Sequence, residues 1–187
     1  MRFPPQFRMS VTRRGEKEQR LSAFIAQSLA TVAESAKPQR RIGVSVIARS
    51  LQSPVVRAID GLAQEIAASG YSVRMLLAKS DRFRLTDGWA YPHAAALNCE
   101  VRLARDPRLI EAHEQLVLGP RTSWTGDSMR RDPAVCDAYE SFLDDCAEAA
   151  HAATSTFERL WIGGEPLFER TPMAPAMSPA AAVERLP

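Results

Sequence analysis

A short β-branched run, Ile42, Val44, Val46 and Ile47, precedes Ser53-Pro54 and then a helical stripe of Val55, Ile59, Leu62 and Ile66 that stops at Gly70. Serine before proline is a helix entrance, and glycine tolerates the left-handed residue that closes a helix. A second apolar run, Val73 to Ala78, follows at once. Two strands joined by a helix pair in parallel through a right-handed crossover, because a hairpin cannot return the chain in the same direction. This unit commits the chain to an α/β layer fold.

The remaining pattern extends that unit. Leu21, Phe24, Ile25, Leu29 and Val32 recur at helical spacing, which predicts an amphipathic helix from Glu16 to the Lys37-Pro38 step. Arg41 to Ala48 is the first strand. Lys79 to Leu97, with Asp87-Gly88, Trp89, Tyr91, Pro92 and His93, reads as a long loop. Cys99 to Ala104 alternates as a third strand, Asp106-Pro107 opens a short helical turn through Ile110, and His113 to Leu118 is a fourth strand. Pro133 is expected to begin the longest helix, with Val135, Tyr139, Phe142, Leu143, Cys146, Ala150, Ala153, Phe157 and Trp161 on its core face. Together these give an open mixed or mostly parallel sheet with flanking helices, and no internal repeat is found.

Residues 1–15 carry Arg2, Arg8, Arg13 and Arg14 beside Pro4 and Pro5 and read as a basic disordered arm; 16–168 form a single α/β domain; 169–187 are a disordered Pro/Ala-rich tail. A chain of 187 residues that is 45% hydrophobic buries one core of this size. Its net charge of +2 argues for no nucleic-acid partner unless the charge is concentrated. Three cysteines without C-x-x-C spacing point to neither a zinc site nor a disulfide framework, and a reduced cytoplasmic setting is expected. No run approaches the ~20 apolar residues of a membrane span, and the basic N-terminus lacks a following apolar segment, so neither anchor nor export signal is read.

Chemistry concentrates in two stretches, His113-Glu114-Gln115-Leu116-Val117-Leu118-Gly119 and Ser123-Trp124-Thr125-Gly126-Asp127-Ser128-Met129-Arg130-Arg131. In a strand His113 and Gln115 project together, opposite Glu114, Leu116 and Leu118. Gly126 permits close backbone approach, and Arg121, Arg130 and Arg131 supply donors for an anion. Each has a plainer reading: His113 as a satisfied edge or core residue, and Arg130-Arg131-Asp132-Pro133 as a helix entrance capped by Asp132. His93 and His151 are isolated. The first strand's turn has no glycine-rich nucleotide loop, no Gly-x-Ser-x-Gly elbow occurs, and no His/Cys set has metal-ligand spacing, so no cofactor and no metal are expected.

The order of elements and these two stretches resemble one half-domain of the phospholipase D-like (HKD) superfamily, over roughly residues 42–142. That family places His-x-Lys and an aspartate on one strand, then Gly-Ser with a nearby asparagine on the next, and often a glutamate beyond. The resemblance sets His113 at the histidine, which acts as nucleophile or as acid to the leaving group, and Gly126 at the glycine. Gln115 then stands at the lysine, Pro120 at the aspartate, Asp127 at the serine, Met129 at the asparagine, and Glu140 at the trailing acid.

These departures fall on the chemistry. Glutamine hydrogen-bonds a phosphate but does not neutralise it, and Asp127 opposes it by ~4 kcal/mol for like charges 4 Å apart at an effective dielectric near 20. Loss of the aspartate is read as loss of the group that orients His113. The resemblance therefore implies a catalytically degenerate, non-enzymatic domain that binds a phosphate-containing ligand or a protein partner, through His113, Gln115, Arg121, Gly126, Ser128, Arg130, Arg131 and Glu140. Two alternatives stand beside it. One is a phosphodiesterase or nuclease, a homodimer that presents His113 from each subunit. The other is a nucleic-acid-binding module using the arginines.

Overall fold

The computed structural model describes residues 8–9, 14–34, 43–79, 98–130 and 139–167. The elements in chain order are β1 (Arg8–Met9), α1 (Arg14–Glu34), β2 (Gly43–Ala48), α2 (Pro54–Gly61), α3 (Ala63–Ala68), β3 (Ser72–Leu77), β4 (Asn98–Leu103), a 3-10 turn (Pro107–Glu111), β5 (His113–Leu118), β6 (Thr122–Ser128), β7 (Tyr139–Leu143), α4 (Ala147–Ile162) and β8 (Glu165–Pro166). Laterally the strands lie in the order β1-β7-β6-β5-β2-β3-β4-β8.

The sheet is mixed. β2, β3 and β4 run parallel, while β5, β6 and β7 continue from β2 by antiparallel pairings. The parallel β2-β3 pair is the one its linking helices require. β2 sits inside the sheet and is covered on both faces, which is why Val44, Ser45, Val46, Ile47 and Ala48 are all buried and why its sequence reads as a continuous run instead of an alternating one.

The linking helix is two helices, broken at Leu62. Gly70 has φ +73, and the bonds Tyr71 N–H to Ile66 O and Gly70 N–H to Ala67 O close α3 with the paired reverse bonds of a left-handed glycine stop. Ser53 holds the N-cap position without capping: its hydroxyl oxygen accepts from the Ser50 N–H at 3.2 Å. Asp106 does cap, accepting from the Arg108 N–H at 2.9 Å.

Helices cover both faces. On one, Leu21, Ile25 and Leu29 of α1 and Val55, Ile59 and Ile66 of α2 and α3 pack on Val44, Val46, Met75, Leu116 and Trp124. On the other, Phe157 and Trp161 of α4 pack with Ile47, Leu76, Leu109 and Met129. The α4 rings stack at 5.2 Å between centroids, with Arg74 over Phe157 at 5.0 Å and Arg102 over Trp161 at 4.3 Å. Arg74 is also paired with Glu158 of the same helix.

Two expectations are corrected. Tyr139–Leu143 is a strand, not part of a helix beginning at Pro133: Phe142 pairs with Trp124 and Ser141 with Thr125, and α4 starts only at Ala147. Tyr139, Phe142 and Leu143 stand at the i, i+3, i+4 spacing of a helix, but the segment pairs with β6 and ends at Asp144-Asp145, with Asp145 in the left-handed region at φ 57. Arg8–Met9 is paired with β7 and α1 begins at Arg14, so the disordered arm does not run unbroken to residue 15. Of the two sheet types expected, the mixed one is found. The loop bearing Trp89, Tyr91 and His93, the proposed entrance Asp132-Pro133, and the C-terminal tail lie outside the described residues.

Candidate functional site

In open α/β sheets ligands meet the chain beyond the carboxyl ends of the parallel strands. β2 ends at Ala48, and because β5 runs against it, with Ile47 opposite Gln115, His113 starts at that same end of the sheet. β6 finishes there and β7 begins there, which brings Gly126, Ser128 and Glu140 to one edge.

Strand alternation assigns the side chains. Glu114, Leu116 and Leu118 are buried, and the two leucines join the core beneath α1 and α2; Val117 faces α4 with Ala150 and Ala153. Gln115 is half-buried, across from Thr125. An irregularity in the β5-β6 pairing between His113 and Gln115 leaves His113 opposite Ser128. His113 is exposed, and its Nδ1 lies 2.8 Å from the Gly126 carbonyl oxygen. A carbonyl only accepts, so Nδ1 carries the proton.

The surrounding groups are polar but largely engaged. Asp127 Oδ1 accepts from the Ser128 N–H at 2.8 Å, and Ser128 Oγ accepts from the Arg130 N–H at 3.3 Å. Arg130 is exposed and stands 3.9 Å from Glu111. Met129, at the position of the family's asparagine, is 1% exposed in the apolar cluster of Ile47, Leu76, Leu109 and Phe157. Gly126 has a packing role: a Cβ there would stand 2.2 Å from Cη2 of Trp124.

Two buried carboxyls flank this end on the α1 side, one overlooked and one placed by resemblance alone. Glu114 accepts from the Arg49 N–H at 3.2 Å, and burial holds its pKa above the ordinary value against the opposing pull of Ser53, Arg49 and Lys17. Glu140 is 3% exposed, with Arg20 of α1 at 3.6 Å. Burial raises its pKa too, against Lys17, Arg20 and the Trp124 indole. Neither Glu140 oxygen nor Trp124 Nε1 closes a hydrogen bond with a described residue. A lone acid on the otherwise leucine-bearing face of β5 was the sequence signal for Glu114.

Arg121 is not part of this group. It sits on the β5-β6 turn, paired with Asp145 beside the start of α4. Five steps of ~3.4 Å along β5 set that turn about 17 Å from His113. Pro120 lies on the same turn, so an aspartate there would not orient His113, and its loss does not bear on the histidine. Arg131 lies outside the described residues. Among the described residues no three His, Cys, Asp or Glu side chains gather as a metal site requires, and no helix is long and apolar enough to cross a membrane.

No family model matches the sequence, and no curated protein matches it. Solved structures do. Nuc from Salmonella typhimurium, described as a phospholipase D family member, superposes with TM-score 0.54 at 13% identity, covering 89% of this chain and 100% of its own. NucT from Helicobacter pylori gives 0.49 at 12% identity, over 86% and 99%. TrmBL2, an archaeal chromatin protein, gives 0.44 at 12% identity, over 84% and 54%. The Nuc match spans the whole of that chain and 89% of this one: this chain has the phospholipase D-like fold.

Proposed function

We propose that this chain is a catalytically degenerate phospholipase D-like domain that binds a phosphate-containing ligand at the His113 end of the sheet and does not cleave it. The supporting observation is Met129. The position that offers an asparagine amide in the family is here a fully buried thioether inside an apolar cluster, so it presents nothing to a phosphate. Gln115 at the lysine position adds a donor without a charge, and Arg130, whose backbone N–H donates to Ser128 Oγ, brings an exposed cation two residues from the His113 pair partner. His113, Ser128 and Arg130 then hold an anion by hydrogen bonds and one exposed charge, a set suited to binding but lacking a fixed cation to stabilise a pentavalent transition state.

Hydrolysis of bis-p-nitrophenyl phosphate by the wild type and His113→Ala separates this from the phosphodiesterase reading, in which a homodimer pairs two copies of His113. No hydrolysis above background, with His113 resonances moved by inorganic phosphate, is the expected result. Turnover abolished by the substitution overturns it. Affinity for short DNA or RNA that falls steeply with salt would assign the ligand to nucleic acid.

A further inference from the structure

We propose that Trp124 is the positioning residue for His113: the indole, seated between Glu140 and Gly126, fixes the backbone carbonyl that selects the histidine tautomer. The proposal rests on the reading above only for where a ligand meets the chain.

The links are contiguous. Trp124 is 0% exposed on β6, beneath α1. On one side its indole N–H acts on the Glu140 carboxyl without closing a hydrogen bond; that side chain is 2% exposed and has Arg20 of α1 at 3.6 Å. On the other side its six-membered ring fills the volume over Gly126, with Cη2 and Cζ2 at 2.2 and 2.4 Å from where a Cβ would be. The ring thus fills the side of Gly126 from which a side chain would project, and that contact holds the Gly126 peptide to one setting. The Gly126 carbonyl then points at His113 Nδ1, 2.8 Å away.

The consequence is specific to this chain. A neutral imidazole free in water favours the proton on Nε2; the Gly126 carbonyl demands it on Nδ1, so Nε2 is the acceptor. The trailing acid of the family resemblance does not reach the histidine here. Glu140 stands two steps away, a buried carboxyl beside the indole with Arg20 of α1 at 3.6 Å, while a backbone oxygen orients the ring. Tilting the indole frees the Gly126 peptide, and the preference for Nδ1 goes with it.

Imidazole 15N resonances of His113 test this without any ligand, so a failed phosphate titration leaves the outcome readable. The wild type should show the Nδ1-protonated form. Trp124→Phe should move both nitrogens toward the mixed or Nε2-protonated values; Glu140→Ala should do the same, and Glu140→Gln should restore the wild-type pattern. Leu76→Val, a core change on β3 in the cluster beneath α4, should leave the pattern alone. Should Trp124→Phe not fold, the Glu140 pair decides. Retention of the Nδ1 form in folded Trp124→Phe and Glu140→Ala, or an equal change in Leu76→Val, overturns the proposal.

Discussion

The Trp124 indole occupies the space over Gly126, so that a Cβ on the glycine would stand 2.2 Å from Cη2 and 2.4 Å from Cζ2. Both neighbours are buried, and the ring is wedged by Phe142 at 6.4 Å between centroids. Gly126→Ala is therefore expected to cost about 1–3 kcal/mol, the usual cost of overpacking a filled core. Trp124→Leu costs more on its own, but adding Gly126→Ala to it should cost much less than in the wild type. Denaturant midpoints of the four proteins in that cycle check the coupling, and strict additivity would show that the glycine is needed for some other reason.

Met129 carries the same logic to the question of lost chemistry. Its side chain is 1% exposed among Ile47, Leu76, Leu109 and Phe157, and only its backbone N–H is used, by the Ala112 carbonyl at 2.9 Å. Met129→Asn places an unpartnered amide in that cluster and removes apolar contact, an expected loss of roughly 3 kcal/mol. Gln115→Lys with Met129→Asn should thus lower stability and give no phosphodiesterase activity. A stable, active double variant would mean that the position turns outward when a ligand binds.

Glu114 and Glu140 make stability depend on pH in an unusual direction. Burial raises both carboxyls above the ordinary glutamate value of 4.5. Between that value and their folded-state values the native chain binds more protons than the unfolded one, so stability falls as pH rises through that window. The contribution is complete below 4.5 and is lost above it, the reverse of a salt-bridged aspartate. Unfolding followed from pH 4.5 to 8 should show the decline, and Glu114→Gln, which keeps an acceptor for the Arg49 N–H, should flatten it. A slope unchanged in both Glu114→Gln and Glu140→Gln would place the effect elsewhere.

The strand-helix-strand unit was legible because each of its signals is local: a β-branched run, proline at the first helical turn, and glycine at φ +73. The His113 strand was legible for the same reason. Tyr139–Leu143 was not, because Tyr139, Phe142 and Leu143 stand at helical spacing, and what decides is the hydrogen-bonding edge of β6, a partner sixteen or more positions away. The arginines show the same limit. Arg121 and Arg130 are nine positions apart in a stretch read as one site, yet the hairpin carries them to opposite ends of the sheet. Lys17 and Arg20 reach Glu140 only through the packing of α1, which no spacing rule encodes.

Arg121 and Arg130 should therefore differ in what they contribute to anion binding at His113. Arg121 is paired with Asp145 at the α4 end, and both side chains are exposed, whereas Arg130 sits two residues from the His113 pair partner Ser128. Arg121→Ala should leave the response of His113 to inorganic phosphate unchanged, since a charge about 17 Å away along the strand lies beyond the ~8 Å screening length at physiological salt. Arg130→Ala should weaken it about two- to fivefold, the worth of one exposed charge at an anion, and the difference should shrink as salt is added. Equal weakening by both substitutions would show that phosphate is read by the field of the whole chain and not by the His113 end of the sheet.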